Sequence, residues 1–493
     1  MIKNLLSASL LLLSAGAFAQ SKTATLSGTL VKFAGDSLTL DAGDHKPIKI
    51  AVDKKGSFKS TFKIDSGAYY AFNTGVLYLA PGMALDISKP DTVLVYAGKG
   101  SVENNIFKQI NGSINKYVPF GQAELFEKMV DTAPAEFLKE MDDYKVASNK
   151  LLTDNKGLSK YFVKTQQQNI DYIIRWATDT YKTRYGKDPL IEKEQRQLIR
   201  TMTSAEALKA NRDKLMALLG KMYAKRMEPQ DHLMINKLAW VDFDVNNVDL
   251  FKLSAPYKLM LNSRIATMVS AEKQKTAYTS NKSTDEMTFD VTLKELNNSY
   301  IKQALTYPNM RLLLRPGRDS VDAIYNKFMA MATDQFYKTK VEALYKSIKL
   351  YGKGGQTPLF VFNDVNDKPI ALKDLLKGNY VYIDIWATWC GPCIAEIPSL
   401  KKMEEKYHDK PIKFVSISID ATKDKEKWKS FVKDKQLGGV QVYAGQNSDF
   451  VTKYNVPFIP RFILLDPNGK IVSEDAERPS NPKLQEQLDQ LLK

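Results

Sequence analysis

The chain of 493 residues contains two cysteines, and they stand two residues apart as Cys390 and Cys393. At that separation, where an apolar strand gives way to a helix, the two sulfurs can approach each other and form a disulfide. Cys390 would lie at the helix N-terminus, where free backbone N–H groups and the positive end of the helix dipole favour a thiolate over a thiol. Cys390 is therefore the expected nucleophile. Cys393, one turn further in and expected to be the more buried of the two, would resolve the mixed disulfide that Cys390 forms. The chemistry is dithiol–disulfide exchange. A zinc site needs further ligands, yet no second cysteine pair exists and the three histidines, His45, His232 and His408, are scattered, so no metal is expected.

The elements that must position this pair read as an α/β layout. The run Val381 to Trp386 is a buried strand and Cys390 to Tyr407 a helix. A second apolar strand follows from Lys413 to Ile419 and a second helix from Lys425 to Lys435. Arg461 to Leu465 is a third strand, turning at Asp466-Pro467-Asn468-Gly469 into Lys470 to Ser473, and Pro482 to Leu492 closes with a helix. Gly352-Lys353-Gly354-Gly355 reads as a flexible link before this region.

Upstream of that link, apolar residues recur three and four apart in long stretches rich in Lys, Glu, Gln, Leu, Met and Ala. Leu125, Met129, Phe137 and Met141 form one such set, Tyr161, Ile170, Ile174 and Tyr181 another, and Ala205 through Met227 a third. Trp176 and Trp240 are expected in the core of this helical region. The front offers short alternating segments: Thr25 to Val31, Ser37 to Leu40, Ile48 to Val52, Phe58 to Ile64, Tyr69 to Phe72, Val76 to Leu79 and Thr92 to Tyr96. Turns at 53–57 and at Pro81-Gly82 punctuate them. The expected chain is multidomain: a leader at residues 1–19, a small antiparallel β domain at 20–100, a mostly α-helical region at 101–350, a linker at 351–356 and an α/β domain at 357–493.

The segment Trp389-Cys390-Gly391-Pro392-Cys393 resembles the active-site motif of the thioredoxin superfamily, and the resemblance extends over roughly Thr357 to Lys493. It implies a thioredoxin-like fold and contact with substrate through Trp389, Gly391 and Pro392. Asp384, six residues before Cys390, falls where the family keeps a buried acid, and by that resemblance it would accept the proton of Cys393. Trp386-Ala387-Thr388-Trp389-Cys390, followed by Cys393-Ile394-Ala395-Glu396-Ile397-Pro398, is similar to the exported TlpA-like and ResA-like branch. Glu396 matches that branch's active-site acid, which leaves open whether Asp384 or Glu396 dominates and whether Glu396 is instead a surface residue. Ile459-Pro460-Arg461 resembles the family's loop with a cis proline facing the disulfide, where the backbone of Ile459 would pair with an extended substrate segment. Pro457 is the rival proline. The front, with Gly98-Lys99-Gly100 and Asn104-Asn105, more loosely resembles a β domain found before such domains in exported Bacteroidota proteins.

The opening, Met1-Ile2-Lys3, an apolar run to Leu13 and Ala17-Phe18-Ala19, reads as a cleavable export signal, too short to cross a bilayer. The expected product is soluble and periplasmic. The formal charge of +15 lies almost entirely before Gln356 and reads as a solvated Lys-rich helical surface. Attraction to anionic envelope surfaces or acidic partners is the sharper alternative. Nothing resembles a nucleic-acid-binding motif, so no nucleic-acid partner is expected. The implied activity is reduction of protein disulfides, with the Cys390–Cys393 disulfide as the redox centre, no other cofactor, and electrons from a membrane-borne donor that the sequence does not identify. The alternative is a client-binding or scaffold protein in which the basic front carries the main role.

Overall fold

A computed structural model describes residues 22–30, 37–42, 47–72, 75–89, 93–118, 129, 131–202, 209–276, 282–315, 318–446 and 448–493. The expected leader lies outside them, as do His45, Leu125 and residues 205–208. The chain divides into two compact units, Met1–Arg264 and Ile265–Lys493. The expected linker and the boundaries beside it fall inside the second unit.

The first unit opens with β1 (Thr23–Leu30), β2 (Ser37–Asp41), β3 (Ile48–Ala51), β4 (Ser57–Lys63), β5 (Ala68–Phe72), β6 (Gly75–Leu79), β7 (Ala84–Lys89) and β8 (Val95–Lys99). They form two four-stranded sheets, ordered β4-β1-β7-β8 and β3-β2-β5-β6. Period-two side chains such as Leu26, Leu38, Leu40, Phe72, Leu85 and Ile87 supply one shared apolar core. The expected all-antiparallel arrangement is corrected at one pairing, because β1 and β7 run parallel. The sequence reading passed over β7, whose four central residues Leu85-Asp86-Ile87-Ser88 bury only Leu85 and Ile87 fully. A strand that returns after several hairpins is free to add in either direction.

Helices follow, among them Pro134–Asp154, Lys160–Arg184 and Arg212–Lys221. Trp176 is buried and Trp240 Nε1 donates to Asp179 Oδ1 at 3.0 Å, so both belong to the helical packing. The helix expected to reach Met227 ends at Lys221, where the backbone leaves to pair elsewhere: Asp188 N donates to Met222 O, and Lys187 bridges Tyr223.

In the second unit, helices between residues 284 and 350 bury Phe289, Leu313, Phe328, Val341 and their neighbours. The sheet beside them contains β9 (Val361–Asp364), β10 (Pro369–Ala371), β11 (Tyr380–Trp386), β12 (Ile412–Ser418), β13 (Val440–Tyr443), β14 (Arg461–Leu465) and β15 (Ile471–Ser473). Its order is β10-β9-β13-β12-β11-β14-β15, with β11, β12 and β13 parallel and β14 antiparallel to β11. The expected flexible link is corrected. Gly354 N donates to Ile471 O at 2.8 Å, Ile471 N donates to Gly355 O at 2.8 Å, and Gln356 bridges Lys470. The edge strand β15 offered unpaired backbone groups, and the glycines supply the pairing they need. Among the described residues no helix is long and apolar enough to cross a membrane.

Candidate active site

Strand β11 is buried along nearly its whole length, and period two sorts its side chains. Val381, Ile383 and Ile385 face one core. Tyr382 faces the other, with Leu400 and Met403 of the helix Gly391–Lys406 and its C-cap residue Tyr407. Asp384 shares the parity of Tyr382 and Trp386, so it lies on the face that carries the helix of the cysteines.

That helix starts directly after the strand. Cys390 is its N-cap residue, and Cys390 Sγ accepts from Cys393 N at 3.2 Å. A disulfide joins Cys390 to Cys393 with their Cα atoms 5.3 Å apart. The expected contrast in burial is corrected: Cys390 is 4% exposed and Cys393 3%. What separates them is place in the helix, since Cys390 stands before the free N–H groups of the first turn and Cys393 within it. Trp389 is 58% exposed beside them, and Gly391 and Pro392 are exposed.

Asp384, on that face of β11, has its Oδ1 buried and, among the described residues, without a hydrogen-bond partner. Burial pushes its carboxyl up to about 8, and the negative charges of Glu396 and Glu404 push in the same direction. Glu396 is not the surface residue of the alternative reading. It is nearly buried, accepting from Ser480 N and Ser480 Oγ at 3.0 Å each, with Arg478 Nη1 at 3.6 Å. Glu404, two turns further along the helix and passed over by the sequence reading, is pushed up to about 7 by burial. Asp384, Glu396 and Glu404 are thus close enough to influence one another's charge.

The register of β14 against β11 pairs Arg461 with Ile385, one residue from the end of β11, so Ile459 and Pro460 arrive beside the cysteine turn. Ile459 packs against the cluster that contains Cys390 and Cys393. The Ile459-Pro460 bond is cis, which decides for Pro460 over Pro457. Phe458, 51% exposed, stands next to it and was not anticipated.

Asp420 was also passed over. It is fully buried, and both of its carboxylate oxygens accept from Thr388 N at 3.1–3.2 Å. Oδ1 also accepts from Thr388 Oγ1 at 2.7 Å and Oδ2 from Ser418 Oγ at 2.8 Å. A carboxylate so placed clamps the turn between Trp386 and Cys390. The available signal was a Ser-x-Asp directly past an apolar parallel strand, the end of an α/β sheet where sites gather. Asp420→Ala leaves the Thr388 donors unpaired and is expected to cost about 2–4 kcal/mol of stability. Urea unfolding with an unchanged m value measures it.

Among known families, the Redoxin family matches residues 353–492. The thiol-disulfide oxidoreductase ResA of Bacillus thuringiensis subsp. konkukian is 31% identical over 138 residues, 28% of this chain and 78% of that protein. ResA of Bacillus anthracis is 34% identical over 141 residues, 28% of this chain and 76% of that one. A solution structure from Bacteroides vulgatus is 47% identical and covers 29% of this chain and 92% of its own, with a TM-score of 0.26. An apolar strand feeding a helix that begins at a cysteine pair, and identity across about three quarters of the two ResA proteins, lead to one assignment: the chain belongs to the thioredoxin superfamily as a ResA-like thiol-disulfide oxidoreductase.

Proposed function

We propose that the protein is exported and reduces protein disulfides. The observation that carries this reading is the Cys390–Cys393 disulfide at the start of a helix, with a buried acid, Asp384, on the strand that feeds that helix. In the reduced enzyme the Cys390 thiolate attacks one sulfur of a client disulfide, forming a mixed disulfide and expelling the other client sulfur as a thiolate. Asp384 then takes the proton of Cys393. The Cys393 thiolate attacks Cys390 Sγ, closes the Cys390–Cys393 bond and releases the second client thiolate, so two electrons pass to the client. Trp389, Gly391, Pro392 and the backbone of Ile459 beside Pro460 contact the client, and the exposed Phe458 extends that apolar surface. Glu396, an acid close to Asp384, raises the affinity of the Asp384 carboxylate for the proton it takes from Cys393. The disulfide is the redox centre, and no other cofactor takes part. Electrons come from a membrane-borne donor.

The direction of exchange follows from Gly391-Pro392, the dipeptide of reducing thioredoxins. Equilibration of the full chain in glutathione buffers is expected to place the couple nearer to thioredoxin, about −270 mV, than to the oxidant DsbA, about −120 mV. A couple close to the DsbA value sinks the reductase reading and makes the protein an oxidant of thiols.

A further inference from the structure

Residues 453–460 lead from the short helix Asp449–Lys453 to the Ile459–Pro460 segment. A helix of five residues is too short to hold itself, and so is the four-residue helix Met310–Leu313 of the preceding helical segment. Each has terminal carbonyls without an intrahelical partner, and each is capped by side chains from the other segment. Asn455 Nδ2 donates to the carbonyls of Arg311 and Leu314 at 3.0 and 3.1 Å. Ser347 Oγ donates to the carbonyl of Lys453 at 2.6 Å. Arg311 completes the lock, its Nε donating to Asn455 Oδ1 at 3.1 Å and its Nη2 to the carbonyl of Val456 at 3.4 Å.

Asn455 is 1% exposed and sits at a φ of 46°, a left-handed position that asparagine tolerates better than most residues. It stands five residues before Pro460. The residue after Pro460, Arg461, is buried and paired with Asp475 at 2.9 Å. Burial lowers its guanidinium, and Arg315, just past the helix that carries Arg311, adds to that lowering. The helical segment thus holds Lys453, Asn455 and Val456, the residues that lead into Ile459–Pro460.

We infer that the helical segment around Arg311 and Ser347 is part of the client-recognition machinery, holding residues 453–460 so that the Ile459 backbone and Phe458 meet a protein substrate in one fixed geometry. This rests on the reading of Ile459–Pro460 as the client-contact segment. Arg311, Asn455 and Ser347 are positioning residues, and their effect falls on substrates that need the loop. An extended polypeptide that adds to the Ile459 backbone needs it. A small aromatic disulfide that touches only the sulfurs does not.

The test uses the full chain with a dithiol as electron source, reduction of disulfide-bonded insulin as the protein probe and reduction of a small aromatic disulfide as the comparison. Arg311→Ala removes two donor contacts from an exposed side chain and is expected to raise KM for insulin about ten-fold while kcat changes little. The ratio of insulin to small-disulfide efficiency falls accordingly. An unchanged insulin KM in a folded variant overturns the inference, and so does an equal loss on both probes, which would place the effect on the cysteines. Should Arg311→Ala fail to fold, Ser347→Ala, which removes one contact, is measured instead with the same criteria. Failure of the underlying reading looks different: wild-type protein then leaves insulin unreduced.

Discussion

Cys393→Ser is expected to turn the protein into a trap, holding client proteins as mixed disulfides on Cys390 and losing steady-state turnover by about three orders of magnitude or more. The size follows from the geometry. Cys390 keeps its place before the free N–H groups of the first helical turn, so attack on a client is preserved, but no second sulfur remains to release it. With only two cysteines in the chain, nothing else in the protein can substitute. Adducts should appear on a non-reducing gel and vanish on treatment with a dithiol, and Cys390→Ser should form none. Adducts that persist in Cys390→Ser, with Cys393 intact, would reverse the two roles. Expressed in the native cell, the same variant identifies the clients, and with them decides between a general reductase and a dedicated pathway.

The parts of the site that were legible in the sequence are those whose signal is local. The strand around Asp384 announces itself as six consecutive residues of which five are apolar, and the lone acid is conspicuous for that reason. Arg461–Leu465 was read to the residue because a proline precedes it and a Pro-Asn-Gly turn follows closely after it. What escaped depends on partners distant in sequence. Asp420 becomes a clamp only through Thr388, 32 positions earlier, and Asn455 becomes a cap only through carbonyls more than 140 positions away. No periodicity marks either. The glycines after Leu350 failed for the opposite reason: their composition is that of a linker, and the pairing that overrides it belongs to Ile471. In β7 the alternation was present but only two residues deep, too little to stand out from a loop.

At Asp384, proton transfer and electrostatics make opposite demands that the pH dependence can separate. Asp384 must be ionised to take a proton from Cys393, yet burial, Glu396 and Glu404 hold its carboxyl at about 8. That value lies close to an ordinary thiol near 8.5, the match that makes proton exchange between the two efficient. The rate of mixed-disulfide resolution should therefore rise with pH through a midpoint near 8. Asp384→Asn is expected to slow this step by about a hundred-fold and to abolish that midpoint, while the first attack by Cys390 on a small disulfide is far less affected. Glu396→Gln removes a like charge from the neighbourhood, so the midpoint should move to lower pH, and Ser480 and Arg478 lose an ionic partner without leaving the site open. The stability of the oxidised protein gives an independent check with a defined sign. An acid whose folded value is raised from about 3.9 to about 8 binds more protons in the folded state between those limits, so folding stability is lost as pH rises through that window. Asn carries no such charge. Asp384→Asn should accordingly be more stable than wild type above pH 8, with the gap closing towards pH 4. A variant that is less stable at every pH, with attack and resolution slowed together, would mean that Asp384 serves the fold and that proton transfer belongs to another group.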